Sequence, residues 1–254
     1  MSRHSPPATI IVLNYNTREL LLDCLNGFAR EVVEEDWQVV VVDNGSSDGS
    51  AGAVQAAFPS VELVRSDRNV GFAAGNNLGL QQARGAALML LNTDVIVTGT
   101  QLNELVTYLE IHPDVGAVSA GLRTRDGEPQ AFAYGDDPSL GYILRRGARR
   151  LLGRKPLHDW HVAEPIDTDW VSGACLAVRA SVYRRIGGLD EQFFLYFEDV
   201  DWCRRIRHAG WRIVYNPEVQ VIHLGGRSQP ERAVANRLYE TSLLKFYAKH
   251  YGVL

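Results

Sequence analysis

Three strand-length apolar runs, Thr9–Leu13, Trp37–Val42 and Ala86–Leu91, constrain the fold of this chain more than any other feature. None shows the regular apolar–polar alternation of a strand with one wet face. Each therefore predicts a strand covered on both sides. Helical patterns separate them. One follows Asn16, read as an N-cap with Glu19 three residues on, and has an apolar face of Leu20, Leu21, Cys24, Leu25 and Phe28. Others run to about Phe58, over Phe72–Arg84 and over Thr100–Ile111, with Val61–Val64 and Gly116–Ser119 as further strands. Strand and helix in alternation predict an α/β fold with a mostly parallel central sheet flanked by helices. The right-handed crossover rule then puts Asn14, Asp43 and Asp94 along one sheet edge. Open α/β sheets hold their ligands at that edge.

The pattern loosens after Ala120. Arg123–Asp137 reads as loop, Ser139–Leu152 as a basic helix, and Lys155–Thr168 as irregular. Trp170–Arg179 reads as a strand. Glu198–Ala209 is helical, Arg212–Tyr215 and Val219–His223 are strands, and Pro230–Tyr251 is a final amphipathic helix. No linker separates independent units in the 254 residues, so one domain is expected. A nucleotide-binding half would cover about 8–120 and an acceptor half about 121–254.

Composition excludes more than it selects. A net charge of -4 offers no general attraction for nucleic acid. Three cysteines without a C-x-x-C spacing indicate neither a zinc site nor a disulfide framework, and a reducing cytoplasmic setting fits. Ile10–Leu13 is too short for a signal-peptide core, and no apolar run is long enough to span a bilayer.

The chemistry resides in four clusters. Asp43 ends its strand before Asn44-Gly45-Ser46-Ser47-Asp48. It reads either as a turn former or as a carboxylate accepting the N3–H of uracil or thymine, a proton that cytosine lacks. Residues 68–77, which include Asn69, Gly71 and Asn76, form a Gly/Asn-rich loop feeding a helix. Such a loop suits close packing or an anion. Asn92-Thr93-Asp94 is the metal candidate, with Asp94 as its only carboxylate, and His223 reads either as a second ligand or as a structural strand-end histidine. Oxygen donors beside a diphosphate suit Mg2+ or Mn2+. Glu198-Asp199 follows the aromatic run Phe193–Phe197. The pair reads as a helix-dipole partner, or as a general base, Asp199, with Glu198 positioning the hydroxyl it deprotonates. Asp201 and Arg204 are read as pairing along the helix.

Taken in order, TIIVLNYN (9–16), VVVVDNGSSDGS (39–50), NVGFAAGNN (69–77), LLNTD (90–94), VSGACLAVR (171–179), GGLDEQFFLYFEDVDWCRR (187–205) and HLGGRS (223–228) resemble glycosyltransferase family 2, which has the GT-A fold. The resemblance implies inverting, metal-dependent transfer from a nucleotide-diphospho-sugar. It implies that Asn14, Asn16, Asn69, Gly71, Asn76 and Asn92 line the nucleotide pocket. Trp170, Ser172 and Gly173 would edge the donor and acceptor site. Asn92 stands where many relatives carry the first Asp of D-x-D. The Asn-x-Asp form, the Glu-Asp pair and the HLGGRS tail look most like the rhamnosyltransferase branch. That branch implies dTDP-L-rhamnose, or next a UDP-sugar, and a saccharide or polyprenyl-diphosphate-linked saccharide acceptor in bacterial surface polysaccharide synthesis. A homo-oligomer stays open. Residues 140–155 interleave Arg145, Arg146, Arg149, Arg150, Arg154 and Lys155 with apolar side chains, as a peripheral membrane helix or a solvated face. A silent nucleotide-sugar-binding module would not need Asp199. A nucleotidyltransferase should carry a basic glycine loop after the first strand, where Asn14-Tyr15-Asn16-Thr17 stands.

Overall fold

The computed structural model describes residues 5–153, 159–225 and 231–252, leaving aside the side chain of Arg150. The first three expected strands are β1 (Ala8–Asn14), β2 (Gln38–Asn44) and β4 (Ala87–Asn92), with β3 (Glu62–Ser66) between the last two in sequence. All four run parallel, in spatial order β3-β2-β1-β4. Every residue of β2, and all but one in each of β1 and β4, is buried. Successive side chains point to opposite faces, so unbroken burial means that helices cover both.

Those helices are α1 (Arg18–Glu34), α2 (Ser50–Ala57), α3 (Phe72–Leu80) and α4 (Gly99–Ile111). α1 packs against α2 and α4, while α3 lies across β1 and β2. The approach of α3 is close. A Cβ at Gly79 would run into Ile11 of β1. Close packing is thus one role of the glycines in this segment. The α1 start departs from expectation. Thr17 is its N-cap, without a side-chain capping bond to the helix, and Asn16 sits just outside in the left-handed region, φ 51°. Asn16 instead accepts the Ser47 N–H on Oδ1 at 2.8 Å. At α4 a full capping box links Thr98 and Gln101.

The second half completes the same sheet. β5 (Val95–Ile96) and β6 (Val115–Arg123) precede β7 (Tyr134–Gly135) and the basic helix α5 (Leu140–Leu151). Then come β8 (Ile166–Asp167), β9 (Trp170–Val171), β10 (Cys175–Arg179), α6 (Ala180–Ile186), α7 (Glu198–His208), β11 (Arg212–His223) and α8 (Arg232–Tyr251). The main sheet order continues β4-β10-β6-β11-β5, with β8 beside β11 and with β7 and β9 as a separate ribbon. β10 is antiparallel to both neighbours.

Three expectations change. The single strand at 170–179 is two, broken by a turn at Ser172–Ala174. The two strands at 212–223 are one, because a register shift between Asn216 and Gln220 absorbs Pro217. And α8 is less amphipathic than expected: it buries only Ser242 and Phe246 fully. Among the described residues, no helix is long and apolar enough to cross a membrane.

Candidate functional site

The carboxyl ends of β1, β2 and β4 meet at one edge, and three groups of polar side chains gather around it. The first is a hydrogen-bonded frame. Asn14 is fully buried. Its amide donates to Ser46 and Ser50, and its oxygen accepts from Thr17. Asp43 is 7% exposed and accepts the Ser46 N–H on Oδ1 at 3.2 Å. That is the turn-forming role, and it engages one carboxylate oxygen. The neighbouring Asn44 accepts the Val70 N–H and donates to Asn69 and to the Gly71 carbonyl. One buried amide therefore ties the β2 end to the Asn69–Gly71 loop.

At Gly71 the backbone has φ 92°, and a Cβ would meet the Phe194 carbonyl at 2.5 Å. Only glycine allows this approach. The Phe72 N–H donates to that same carbonyl at 2.6 Å. The loop so abuts the aromatic run before Glu198. Asn76, 1% exposed, donates to the Phe72 carbonyl one turn back, which accounts for a polar residue in this helix. Its neighbour Asn77, given no role by the sequence, holds the 189–191 loop through Leu189 and Glu191. Only its place beside Asn76 hinted at this.

The second group is Asp94 with His223. Asp94 follows β4 and is 1% exposed. His223 ends β11, and its Nε2 lies 3.2 Å from Asp94 Oδ1. Chain closure supports the pair, since the Leu224 N–H donates to the Asp94 carbonyl at 2.9 Å. The other ring nitrogen, Nδ1, lies 2.8 Å from Gln130 Oε1. With the proton on Nδ1, donated to that amide oxygen, Nε2 would face Asp94 as an acceptor. Two acceptor atoms this close suit a shared cation. Among the described residues no third His, Cys, Asp or Glu joins them. A carboxylate with an imidazole fits Mn2+ better than Mg2+, which prefers oxygen alone. Gln130 falls in a stretch that reads only as loop, and no sequence signal marks it. Of the HLGGRS tail, Gly226-Arg227-Ser228 lies outside the described residues.

The third group is Glu198 and Asp199 at the start of α7. Tyr196 and Phe197 both have positive φ, 70° and 68°, an arrangement costly for non-glycine residues and concentrated at functional sites. Asp199 Oδ2 accepts the Gly173 N–H at 3.1 Å, and Oδ1 accepts the Val200 N–H at 2.8 Å. The turn that splits the expected 170–179 strand thus presents the donor. The adjacent Ala174 carbonyl accepts the Asn92 N–H at 2.9 Å, which links this turn to the Asn92-Thr93-Asp94 segment. Glu198 is 5% exposed, and its Oε2 is buried without a hydrogen-bond partner. Burial pushes the Glu198 carboxyl well above the usual range, and the Asp199 charge adds to this. Burial also raises Asp199, while the Gly173 and Val200 N–H groups oppose the rise. Two adjacent carboxyls raised together hold protons more readily than free ones, as a general base requires.

Ser172 accepts the Ala174 N–H and donates its own N–H to Ala133. Trp170 donates its indole N–H to the Asp136 carbonyl and forms a half-buried wall beside Gly135. Asp201 and Arg204 do not pair with each other. Asp201 binds Arg205, Lys249 and His250, while Arg204 binds Asp137 and Tyr251.

Comparison with known proteins agrees with this architecture. The model of "Glycosyltransferase like family 2" matches residues 6–240. An N-acetylglucosaminyl-diphospho-decaprenol L-rhamnosyltransferase of Mycobacterium tuberculosis is 30% identical over 210 residues, 75% of this chain and 67% of that protein. The low-salt glycan biosynthesis hexosyltransferase Agl10 of Haloferax volcanii is 28% identical over 85% of this chain and 66% of its own length. This chain therefore spans about two thirds of these curated relatives. Among solved structures, a mannosyltransferase from Pyrobaculum calidifontis in complex with GDP-Man and Mn2+ superposes with a TM-score of 0.63. It is 24% identical and covers 91% of this chain and 59% of its own, a likeness of fold.

Proposed function

This chain belongs to glycosyltransferase-like family 2, and from that premise we propose that it transfers L-rhamnose from dTDP-L-rhamnose to a hydroxyl of a lipid-diphosphate-linked saccharide, with inversion. Transfer from a nucleotide-sugar is the activity of the family. The rhamnosyl donor and the lipid-linked acceptor are supported by the name of the 30% identical relative. A UDP-sugar is the next donor to test.

The observation that carries the reading is Asp199, oriented by the Gly173 and Val200 N–H groups beside the buried Glu198. Asp199 takes the proton of the acceptor hydroxyl as its oxygen attacks the anomeric carbon. The new C–O bond forms as the bond to the diphosphate breaks, and the electron pair leaves on the diphosphate. One displacement inverts the anomeric centre, so no enzyme nucleophile is needed. Glu198 positions the hydroxyl. Asp43 Oδ2 accepts the N3–H of the pyrimidine, since Oδ1 is engaged by Ser46. Asp94 and His223 would hold the cation. When bound, that cation supplies Lewis-acid compensation of the charge on the departing diphosphate.

Two measurements test this. The first is thermal shift with dTDP, UDP, GDP and CDP, each with Mn2+ or with EDTA. Binding to the native state alone raises the melting temperature. A shift with dTDP or UDP in Mn2+, absent with CDP and lost in Asp94→Ala, is expected. Equal shifts with all four nucleotides and no metal dependence would overturn the Asp43 and Asp94 roles. The second is turnover of Asp199→Asn. A fall in kcat of roughly 10²–10⁴ is expected, with the nucleotide shift retained. Wild-type turnover would remove Asp199 as the base.

A further inference from the structure

Helix α5 is built inside out. Leu140, Leu144 and Leu151 recur at i, i+4 and i+11, a spacing that returns each to one line along the helix, and Ile143 and Ala148 widen that line into a stripe. An ordinary surface helix turns such a stripe into the core. Here the stripe faces away from the protein. Leu144 is 73% exposed and Leu151 is 90% exposed, with Leu152 just beyond the helix end at 68%. On the opposite side, Tyr142 and Arg149 are, among the described side chains of the helix, the two half-buried toward the body of the protein. Arg145 and Arg146 flank the stripe and stay exposed.

The charge pattern selects what covers it. From Ser139 to Lys155 there are six cations and no Asp or Glu, in a chain whose net charge is -4. The remaining residues therefore sum to -10. A second copy meeting this face would oppose cation to cation. An anionic lipid surface satisfies both features, because leucines enter the acyl boundary while arginines stay at the headgroups. Arg154 and Lys155, read with the helix in the sequence, lie outside the described residues.

The helix is also fixed beside the site. The preceding segment is pinned at Asp136, whose carbonyl takes the Trp170 indole N–H, and at Asp137, held by Arg204 and Arg207. Pro138 accepts the Tyr247 hydroxyl. The same Trp170 starts the strand that leads into the Ser172–Ala174 turn under Asp199.

We propose that α5 docks this protein on an anionic membrane with its leucine stripe inserted, which holds the acceptor side next to lipid. The placement of the acceptor rests on the reading of a lipid-linked substrate; the docking itself does not. The test is flotation of the full chain with vesicles of phosphatidylcholine and phosphatidylglycerol, against phosphatidylcholine alone, with no nucleotide or sugar present. Co-flotation with the anionic vesicles only, reduced by high salt, is expected. At roughly a fivefold loss per arginine near the surface, R145E/R146E should lower partitioning roughly twenty-five-fold or more. Leu144→Asp with Leu151→Asp should abolish it, with circular dichroism and melting temperature reporting that both variants fold. Absence of co-flotation, or equal co-flotation of wild type and variants, overturns the proposal. So does a dimer by light scattering that the leucine variant dissociates. Flotation measures no transfer, so it tests the docking alone; in a separate assay with donor and lipid-linked saccharide, absence of transfer by vesicle-bound protein would overturn the acceptor reading alone.

Discussion

At the scale of single residues, the ionisation of Glu198 bears on stability. Its Oε2 is buried without a partner, and burial raises its carboxyl well above the ordinary range. A carboxyl with a raised folded-state value binds its proton more tightly when folded. Its stabilising contribution is fully present below the ordinary carboxylate value and is lost as pH rises through the folded value. At neutral pH the folded protein therefore bears the cost of a buried charge or of an extra bound proton. Glu198→Gln removes that linkage. Its melting temperature should exceed that of wild type at about pH 8, by about 2–4 °C per kcal/mol recovered. The gap should close as pH falls into the ordinary carboxylate range. Scanning calorimetry across pH checks this, and parallel curves for the two proteins would contradict the burial of a titrating Glu198. The position of the pair, at a helix start after an aromatic run, was readable in the sequence. What orients Asp199 was not readable. Gly173 supplies its N–H only because the strand around it breaks.

Between elements, the acidic face of α7 does more than expected of it. Asp201 is fully buried and binds Arg205 of its own helix at 2.8 Å, with Lys249 at 2.6 Å and His250 at 2.7 Å on α8. Ser242 of α8 also donates to the Leu195 carbonyl, and Tyr239 packs on Tyr196 and Phe197. α8 thus clamps the strained segment that presents Glu198 and Asp199. Removing one partner from a buried ion-pair network leaves charge uncompensated, at a cost of about 3–5 kcal/mol. Asp201→Asn should therefore lower the melting temperature by roughly 6–20 °C. A change of under a degree or two would mean that α8 is held by its apolar contacts alone. Helix periodicity places Asp201 near Arg204 and Arg205 but says nothing of a partner some fifty residues on. Such pairing is decided by which helices pack, and packing of α8 is weakly encoded, since it buries so little of its own surface.

In the whole molecule, β10 from the second half of the chain lies between β4 and β6 of the first half. A single sheet therefore passes through both halves, and its core is continuous. We expect one cooperative thermal transition, with the calorimetric and van't Hoff enthalpies equal. Two resolved transitions would show that the halves unfold separately. The sequence by itself determined the local facts. Unbroken apolar runs demand burial on both faces and so a parallel α/β sheet, and polar residues at the ends of those runs must fall on its ligand-binding edge. Strand direction and partnership leave no mark on periodicity, because a buried strand looks the same in either orientation. Only the tertiary structure could insert β10 antiparallel, join 212–223 into one strand across Pro217, bring Gln130 to the Asp94–His223 pair, and turn the leucines of α5 outward. Each depends on contacts between residues far apart in the chain, and those energies are settled by packing rather than by any local pattern.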